Sequence, residues 1–405
     1  LLPDGLNGWF IFLEMIMIPP SAELSTRLAH AGSRHDLVTG ASSVPIYQVS
    51  TFQQDDPEHL GPYDYARSNN PTRAALEETA ASLENGAQGL AFASGMAAIS
   101  STLLLFAPGD HLIVGRDIYG GTYRILTTLF KRWKLDVTFV DTTDPEQVRR
   151  AITPATRALF VESPANPLLQ ITDLRAMAAI AREHGLLAIT DNTFMTPLLQ
   201  RPLDLGFDIV LHSATKFLGG HSDLIAGLAV AREAELGRRL RAIQNAFGAI
   251  LGPQDAWLLL RGIKTLGVRL EAQQRTATAV AAWLRQRPQV QRVCYPGLAD
   301  HPGCAIHAGQ ASGPGAVVSF ELADRAAAVD FLKRVRLPLV AVSLGGVESI
   351  LSYPATMSHA AMPPAERLAR GISDGLIRFS AGLESVDDLI ADFSAAFERK
   401  TGLRT

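Results

Sequence analysis

The chain has 405 residues, 47% of them apolar and 19% charged, with a formal net charge of −3. That length exceeds one ordinary single-core domain and implies two, while the composition is that of a soluble globular enzyme. Near-neutral charge with no long run of one sign excludes the basic stripe of a nucleic-acid binder. The two cysteines, Cys294 and Cys304, form no CxxC and stand in no His/Cys cluster, which excludes a disulfide framework and argues against a zinc site. None of the ten scattered histidines is assigned to a metal. Two isolated thiols suit a reducing cytoplasm.

Residues 9–18 are apolar except for Glu14, too short a run to span a bilayer. No basic residue precedes the run and no small-residue cleavage site follows, so a signal peptide is a poor reading, and no membrane partner is expected. The chain begins with Leu, and Met17 opens a stretch that reads as an ordinary start. Residues 1–20 are therefore expected to be an extension, the first sixteen upstream or non-native; the alternative is an arm packing on a neighbouring subunit. Residues 21–75 hold many turn formers, including Gly40, Pro45, Pro62 and Pro71, and read as an extended arm with one early helix. Pro71 then opens a helix, where its missing N–H is harmless.

From residue 76 to about 230, apolar runs alternate with helical patterns. Strands are expected at 89–92, 111–114, 136–140, 158–161, 186–190, 209–212 and 225–231, with a helix such as 174–184 between them. This alternation predicts a mainly parallel sheet covered by helices on both faces, whose ligands bind beyond the carboxyl ends of strands. A long helical stretch over 253–286 leads into a smaller α/β domain. Its strands are expected near 317–321 and 376–380, and its helices near 326–335 and 387–399. No internal repeat or low-complexity tract is present.

Four clusters stand at strand ends. After 209–212 come Ser213, Thr215 and Lys216, then Gly219 and Gly220. A lysine is seldom buried without a partner or a task, and the two hydroxyls could bind phosphate oxygens. After 186–190 comes Asp191, which can keep a pyridine ring cationic, as the electron sink of pyridoxal-5′-phosphate (PLP) requires. After 89–92, Ser94 and Gly95-Met96 open an Ala-rich helix whose first N–H groups favour an anion. After 111–114, Tyr119 precedes two glycines and can stack on an aromatic ring. Each has an ordinary reading on its own: a solvated lysine, a helix cap, a tight turn, a surface tyrosine. Together on one sheet they supply an amine, a ring-nitrogen partner, a phosphate cup and a stacking ring. GxGxxG after a strand, GxxxxGK[ST] and GxSxG are all absent, so nicotinamide, P-loop and nucleophile-elbow readings lack support.

The segment Ser213-Ala214-Thr215-Lys216-Phe217-Leu218-Gly219-Gly220-His221-Ser222-Asp223 resembles the lysine signature of the Cys/Met-metabolism PLP enzymes, the cystathionine lyases and synthases. Similar stretches begin at Tyr65, Ser94, Glu162, Asp191, Ser343 and Arg378, so the resemblance runs from about residue 23 to the end. Two departures stand out: Tyr65-Ala66-Arg67 replaces Tyr-Ser-Arg, and Asn69-Asn70-Pro71 replaces Gly-Asn-Pro.

The resemblance implies fold type I, the aspartate-aminotransferase-like PLP-transferase architecture. It implies an arm over 21–75, a PLP-binding domain over 76–262 and a C-terminal domain over 263–405, in a cytoplasmic homotetramer built from tight dimers. It assigns covalent attachment of PLP to Lys216, the pyridine nitrogen to Asp191 and stacking to Tyr119. Ser213, Thr215 and the amides of Gly95 and Met96 receive the phosphate, joined by Tyr65 and Arg67 of a neighbouring subunit. Lys216, Tyr119 and Tyr65 are the implied catalytic residues. Arg378, Asn166, Ser343 and Glu348 are the implied substrate contacts, Arg378 taking the α-carboxylate.

The implied activity is carbon–sulfur lysis of an amino-acid thioether. Glu348 stands where several γ-active members carry an acid. The stretches 244–252 and 351–363 look most like Bacillus-type cystathionine β-lyases, so β-elimination to homocysteine, pyruvate and ammonia is the expectation. Cystathionine γ-lyase or γ-synthase chemistry is the alternative. A silent binding protein of this fold would lack the lysine, the aspartate or the arginine, and all three are present.

Overall fold

The computed structural model describes residues 21–32, 39–360 and 362–398; the expected extension over 1–20 lies outside them. Seven strands form the larger sheet: β1 (Gln88–Phe92), β2 (His111–Gly115), β3 (Asp136–Val140), β4 (Thr156–Glu162), β5 (Leu187–Asp191), β6 (Ile209–Ser213) and β7 (Gly227–Ala231). Their order is β1-β7-β6-β5-β4-β2-β3. β7 runs antiparallel to both its neighbours, and the other pairings are parallel, which makes the sheet mainly parallel.

The strands read as continuous apolar runs because both faces are covered. Leu112, Val114, Phe160, Ile189 and Leu211 pack into one cluster with Ile99 and Leu103 of the helix Gly95–Leu103. Ile113, Leu159, Val161, Ala188 and Val210 pack into the other, with Leu76 and Leu83 of the helix Pro71–Glu84. Both helices start on side-chain caps. Ser94 accepts from Ala97 N, and Asn70 accepts from Thr72 and Arg73 N just before Pro71.

Side chains alternate along a strand, so the strand ends inherit these faces. Glu162, Asp191 and Ser213 each stand two residues beyond Phe160, Ile189 and Leu211, on the face of the Gly95–Leu103 helix. His212 falls on the opposite face, where its ring nitrogen Nε2 lies 2.6 Å from the Glu84 carboxylate.

The smaller sheet contains β8 (Val290–Cys294), β9 (Val317–Leu322), β10 (Leu339–Val340), β11 (Ile350–Ser352) and β12 (Leu376–Ser380), ordered β10-β11-β12-β9-β8. Phe379 of β12 meets Phe393 of the helix Val386–Phe397 edge-on at 5.6 Å, which pins one face to the helical layer. Arg378 therefore points the other way, in a polar row with Ser352 of β11 and Ser319 of β9.

The helical stretch expected over 253–286 is two helices, Pro253–Lys264 and Leu266–Leu284. They meet at Thr265, where the buried Arg269 guanidinium donates to Gly262 O at 2.8 Å and Phe217 O at 2.9 Å. Gly262 O also accepts from Thr265 N at 3.2 Å and Thr265 Oγ1 at 3.1 Å, so the Arg269 side chain adds a tie across the break and to the segment bearing Phe217. β8, β10 and β11 escape a reading based on apolar runs. β8 and β10 are edge strands, and β10 and β11 are only two and three residues long.

Candidate active site

Lys216 sits three residues past β6, in a turn closed by its own N–H donating to Ser213 O. Its Nζ donates to Ser343 Oγ at 2.7 Å. Gly345, at φ +79°, makes this approach possible, because a Cβ there would come within 2.6 Å of Phe217 N. Burial, and then the charge of Arg378, lower the Lys216 amine to about 8. A usable fraction is thus neutral, as a nucleophilic amine must be.

Arg378 is fully enclosed. Its Nη1 donates to Asn166 Oδ1 at 2.7 Å, and its Nη2 to Ser343 O at 2.7 Å and Ser352 Oγ at 3.0 Å. Nε is buried without a partner among the described residues. Burial lowers this guanidinium to about 10, still charged at neutral pH. A fixed, partly unsatisfied cation beside an amine suits a carboxylate group of an amino acid.

Asp191 ends β5. Thr193 donates to its Oδ1 through N at 3.0 Å and Oγ1 at 2.5 Å, and no donor among the described residues reaches Oδ2. The Thr193 hydroxyl also accepts from Ser213 N at 2.8 Å, which locks the ends of β5 and β6 together. Burial raises the Asp191 pKa, opposed by Thr193 and by the charge of His212. A buried carboxylate with a free oxygen is costly alone and suited to a cationic ring nitrogen.

Just past β1, Gly95 opens its helix so close to the end of β6 that an added Cβ would lie 2.9 Å from Ser213 Cβ. The first N–H groups of that helix and the Ser213 hydroxyl thus form one small cradle for an anion. The Tyr119 ring folds over Gly121, where a Cβ would strike it at 2.4 Å and the Met96 sulfur at 2.8 Å. Tyr119 remains 41% exposed, leaving ring surface for a stacking partner.

An anion cradle, an aromatic ring, an unmatched buried carboxylate and a depressed amine are the complements of phosphate, pyridine ring, ring nitrogen and aldehyde. The fold and this donor set fit PLP.

Other expected site residues lie elsewhere or face differently. The Thr215 hydroxyl is engaged with Ala226, donating to its O at 3.2 Å and accepting from its N at 3.1 Å. Glu348 accepts from Ser222 Oγ at 3.2 Å. Tyr65 and Arg67 are exposed; Arg67 donates to Asn245 O at 2.7 Å and lies 5.7 Å from the Tyr65 ring centroid.

Three residues were not singled out from the sequence: Glu162, Ser352 and His359. The Glu162 carboxylate accepts from Tyr119 N and Asn166 N. His359 is buried near Arg378, Arg370 and Arg367, and burial with those charges lowers it to about 4, so it stays neutral. Glu162 carried a signal, a strand-end acid beside Asp191's strand. Ser352 ends the three-residue strand β11, too short to show a period, and His359 lies in an irregular stretch; neither carried a signal.

These features define a PLP enzyme of fold type I. The sequence profile of the Cys/Met metabolism PLP-dependent enzymes matches residues 25–398, and the chain belongs to that family. Cystathionine beta-lyase MetC of Bacillus subtilis is 56% identical over 375 residues, 93% of this chain and 96% of the relative. Cystathionine gamma-lyase of the same organism is 50% identical over 374 residues, 92% and 98% of the two chains. Among solved structures, cystathionine gamma-lyase from Lactobacillus plantarum complexed with L-serine superposes with a TM-score of 0.90 at 47% identity, covering 93% of this chain and 98% of that one. The cofactor is accordingly PLP.

Proposed function

We propose that this enzyme is a cystathionine β-lyase, releasing homocysteine, pyruvate and ammonia from cystathionine. The observation that carries amino-acid chemistry is the juxtaposition of Lys216 and Arg378 around Ser343: Oγ receives the amine and O receives the guanidinium. The higher identity to a β-lyase than to a γ-lyase supports the β-reaction.

PLP supplies an electron sink for the pair left when the Cα–H bond breaks. Lys216 would hold the cofactor covalently through its Nζ, and its amine is the base placed to take the substrate's Cα proton. Asp191 would pair with the ring nitrogen, and Tyr119 would stack on the ring. Ser213 and the N–H groups of Gly95 and Met96 would hold the phosphate, and Thr215 would join them by turning its single hydroxyl proton from Ala226 O to a phosphate oxygen while still accepting from Ala226 N. Arg378, oriented by Asn166 and Ser352, holds the substrate carboxylate, and Ser343 fixes the amine before substrate arrives. Glu348, which accepts from Ser222 Oγ, is assigned to the substrate's far end.

Tyr65 and Arg67 complete the phosphate site of a neighbouring subunit. Their exposure in their own chain supports this reading, as does the exposed apolar surface of the same arm at Ile46, Val49 and Leu60. The arm over 21–75, the PLP-binding domain over 76–262 and the C-terminal domain over 263–405 are then the units of a homotetramer. Among the described residues no helix is long and apolar enough to cross a membrane. The two free thiols, Cys294 and Cys304, suit a cytoplasmic enzyme.

Purified enzyme given cystathionine, with pyruvate and 2-oxobutyrate measured separately, tests the proposal. Pyruvate in excess, with homocysteine, is expected. Predominant 2-oxobutyrate would move the assignment to γ-elimination.

A further inference from the structure

We infer that Glu162 is a positioning residue for this reaction, a buried carboxylate that ties the segment bearing Tyr119 to the segment bearing Asn166. The inference rests on the reading above, in which Tyr119 meets the cofactor and Asn166 orients Arg378.

Glu162 is the last residue of β4 and only 9% exposed. Its Oε2 accepts from Tyr119 N at 2.9 Å, and its Oε1 from Asn166 N at 3.1 Å. The Tyr119 helix, Gly120–Ile125, has no side-chain cap of its own. Glu162 is therefore what fixes where the Tyr119 ring begins. Asn166 lies in the loop after β4, and its side chain accepts from Arg378. One carboxylate thus sets the spacing between the stacking side of the site and the carboxylate-binding side.

The same group lies next to Asp191. The two are register partners on β4 and β5, and partners on parallel strands face the same way. Placing two carboxylates there is expensive, since burial and then the charge of Asp191 both raise the Glu162 pKa. A neutral side chain would spare that cost if the position served packing alone. Two acceptor oxygens on a single short side chain are what the two N–H groups require. Glutamine keeps the shape but turns an NH₂ toward one of the two donors.

The test compares wild-type holoenzyme with Glu162→Gln, reading kcat and KM per bound cofactor, melting temperature, and the visible circular dichroism of the bound cofactor. Positioning predicts a fall in kcat/KM of about ten- to hundred-fold, a raised KM and a weakened dichroic band, with cofactor still bound. It also predicts less-than-multiplicative losses when Glu162→Gln is combined with Tyr119→Ala or with Asn166→Ala, because the residues act as one unit. A lower melting temperature with unchanged kcat, KM and dichroism would overturn it, as would fully multiplicative losses. If Glu162→Gln does not fold, Glu162→Asp, too short to span both donors, is read by the same criteria. Should the wild type turn over no amino-acid thioether, the functional reading fails; the dichroism comparison still decides whether Glu162 positions Tyr119.

Discussion

Lys216 and Ser343 are 127 residues apart in sequence, yet the amine of one donates to the hydroxyl of the other at 2.7 Å. Ser343 makes this contact from a backbone φ of 90°, a conformation that L-residues other than glycine rarely hold. Strain of this kind persists where the surrounding structure over-determines it, and it clusters at functional sites. Here Gly345 packs against Phe217, and Ser343 O is held by Arg378.

The serine hydroxyl and the backbone strain can be separated. Ser343→Ala removes the amine's acceptor and keeps the strain, and kcat/KM should fall about ten-fold, the worth of one hydrogen bond of roughly 1–1.5 kcal/mol. Ser343→Gly also removes the hydroxyl but relaxes the backbone, so it should lose similar activity while melting no earlier than Ser343→Ala. If Ser343→Gly keeps full activity, the hydroxyl has no part in handling the lysine.

A second prediction concerns stability. The folded-state amine of Lys216 titrates at about 8, against 10.5 for an unperturbed lysine. Between those values the unfolded chain binds more protons than the folded one, so this group's contribution makes stability rise with pH. Below about 8 the full cost of a buried cation is present. Lys216→Met, cofactor-free, should therefore be more stable than cofactor-free wild type near neutral pH, on the order of 1–3 kcal/mol. That advantage should shrink as pH climbs toward 10. Urea unfolding of both proteins at about pH 7 and about pH 9.5 measures it. An advantage independent of pH would mean that the amine is not depressed.

The legible parts of this molecule are those where local pattern and burial agree. β3 and β12 run over the stretches their apolar patterns imply, and Asp191, Ser213 and Lys216 follow buried runs that only a covered parallel sheet explains. The site's other half was legible mainly by resemblance. Arg378 sits inside a strand, where alternation says only that it faces away from Phe379; what it faces is set by docking of the two sheets. Ser352 ends a strand of only three residues, too short to reveal a period, and His359 lies in an irregular stretch. The break at Thr265 was invisible because Arg269, which spans it, is also tied to Phe217 O, 52 residues away.

Asp191→Asn should fold, because the Thr193 donors can still reach an amide oxygen at the same place. Loss of the charge facing the ring nitrogen removes several kcal/mol of stabilisation at the reacting centre, so kcat should drop by about two to three orders of magnitude. Cofactor content is measured alongside kcat to separate weak binding from slow chemistry. Near-normal turnover would reduce Asp191 to a link between strand ends.

The last prediction addresses the arm. Tyr65 and Arg67 are exposed, and the contacts of Arg67 are with Asn245 O and the Tyr65 ring. If this pair serves the phosphate of a neighbouring subunit across a two-fold interface, a variant defective in the arm and one defective in the lysine fail in different sites of a mixed dimer. Arg67→Ala and Lys216→Ala should each be inactive. In their mixed dimer, one site carries both defects and the other carries both native groups. Random pairing of equal amounts makes about half the dimers mixed, each with one native site, so activity should recover to roughly a quarter of wild type. Arg67→Lys should also weaken cofactor retention, because an ammonium cannot reproduce a two-pronged phosphate contact. The measurement is activity after co-refolding, with mixed dimers verified by mass spectrometry of differently tagged chains. Mixed dimers that stay inactive would mean that each site is built from one chain, and that the arm's exposed tyrosine and arginine serve something other than the cofactor.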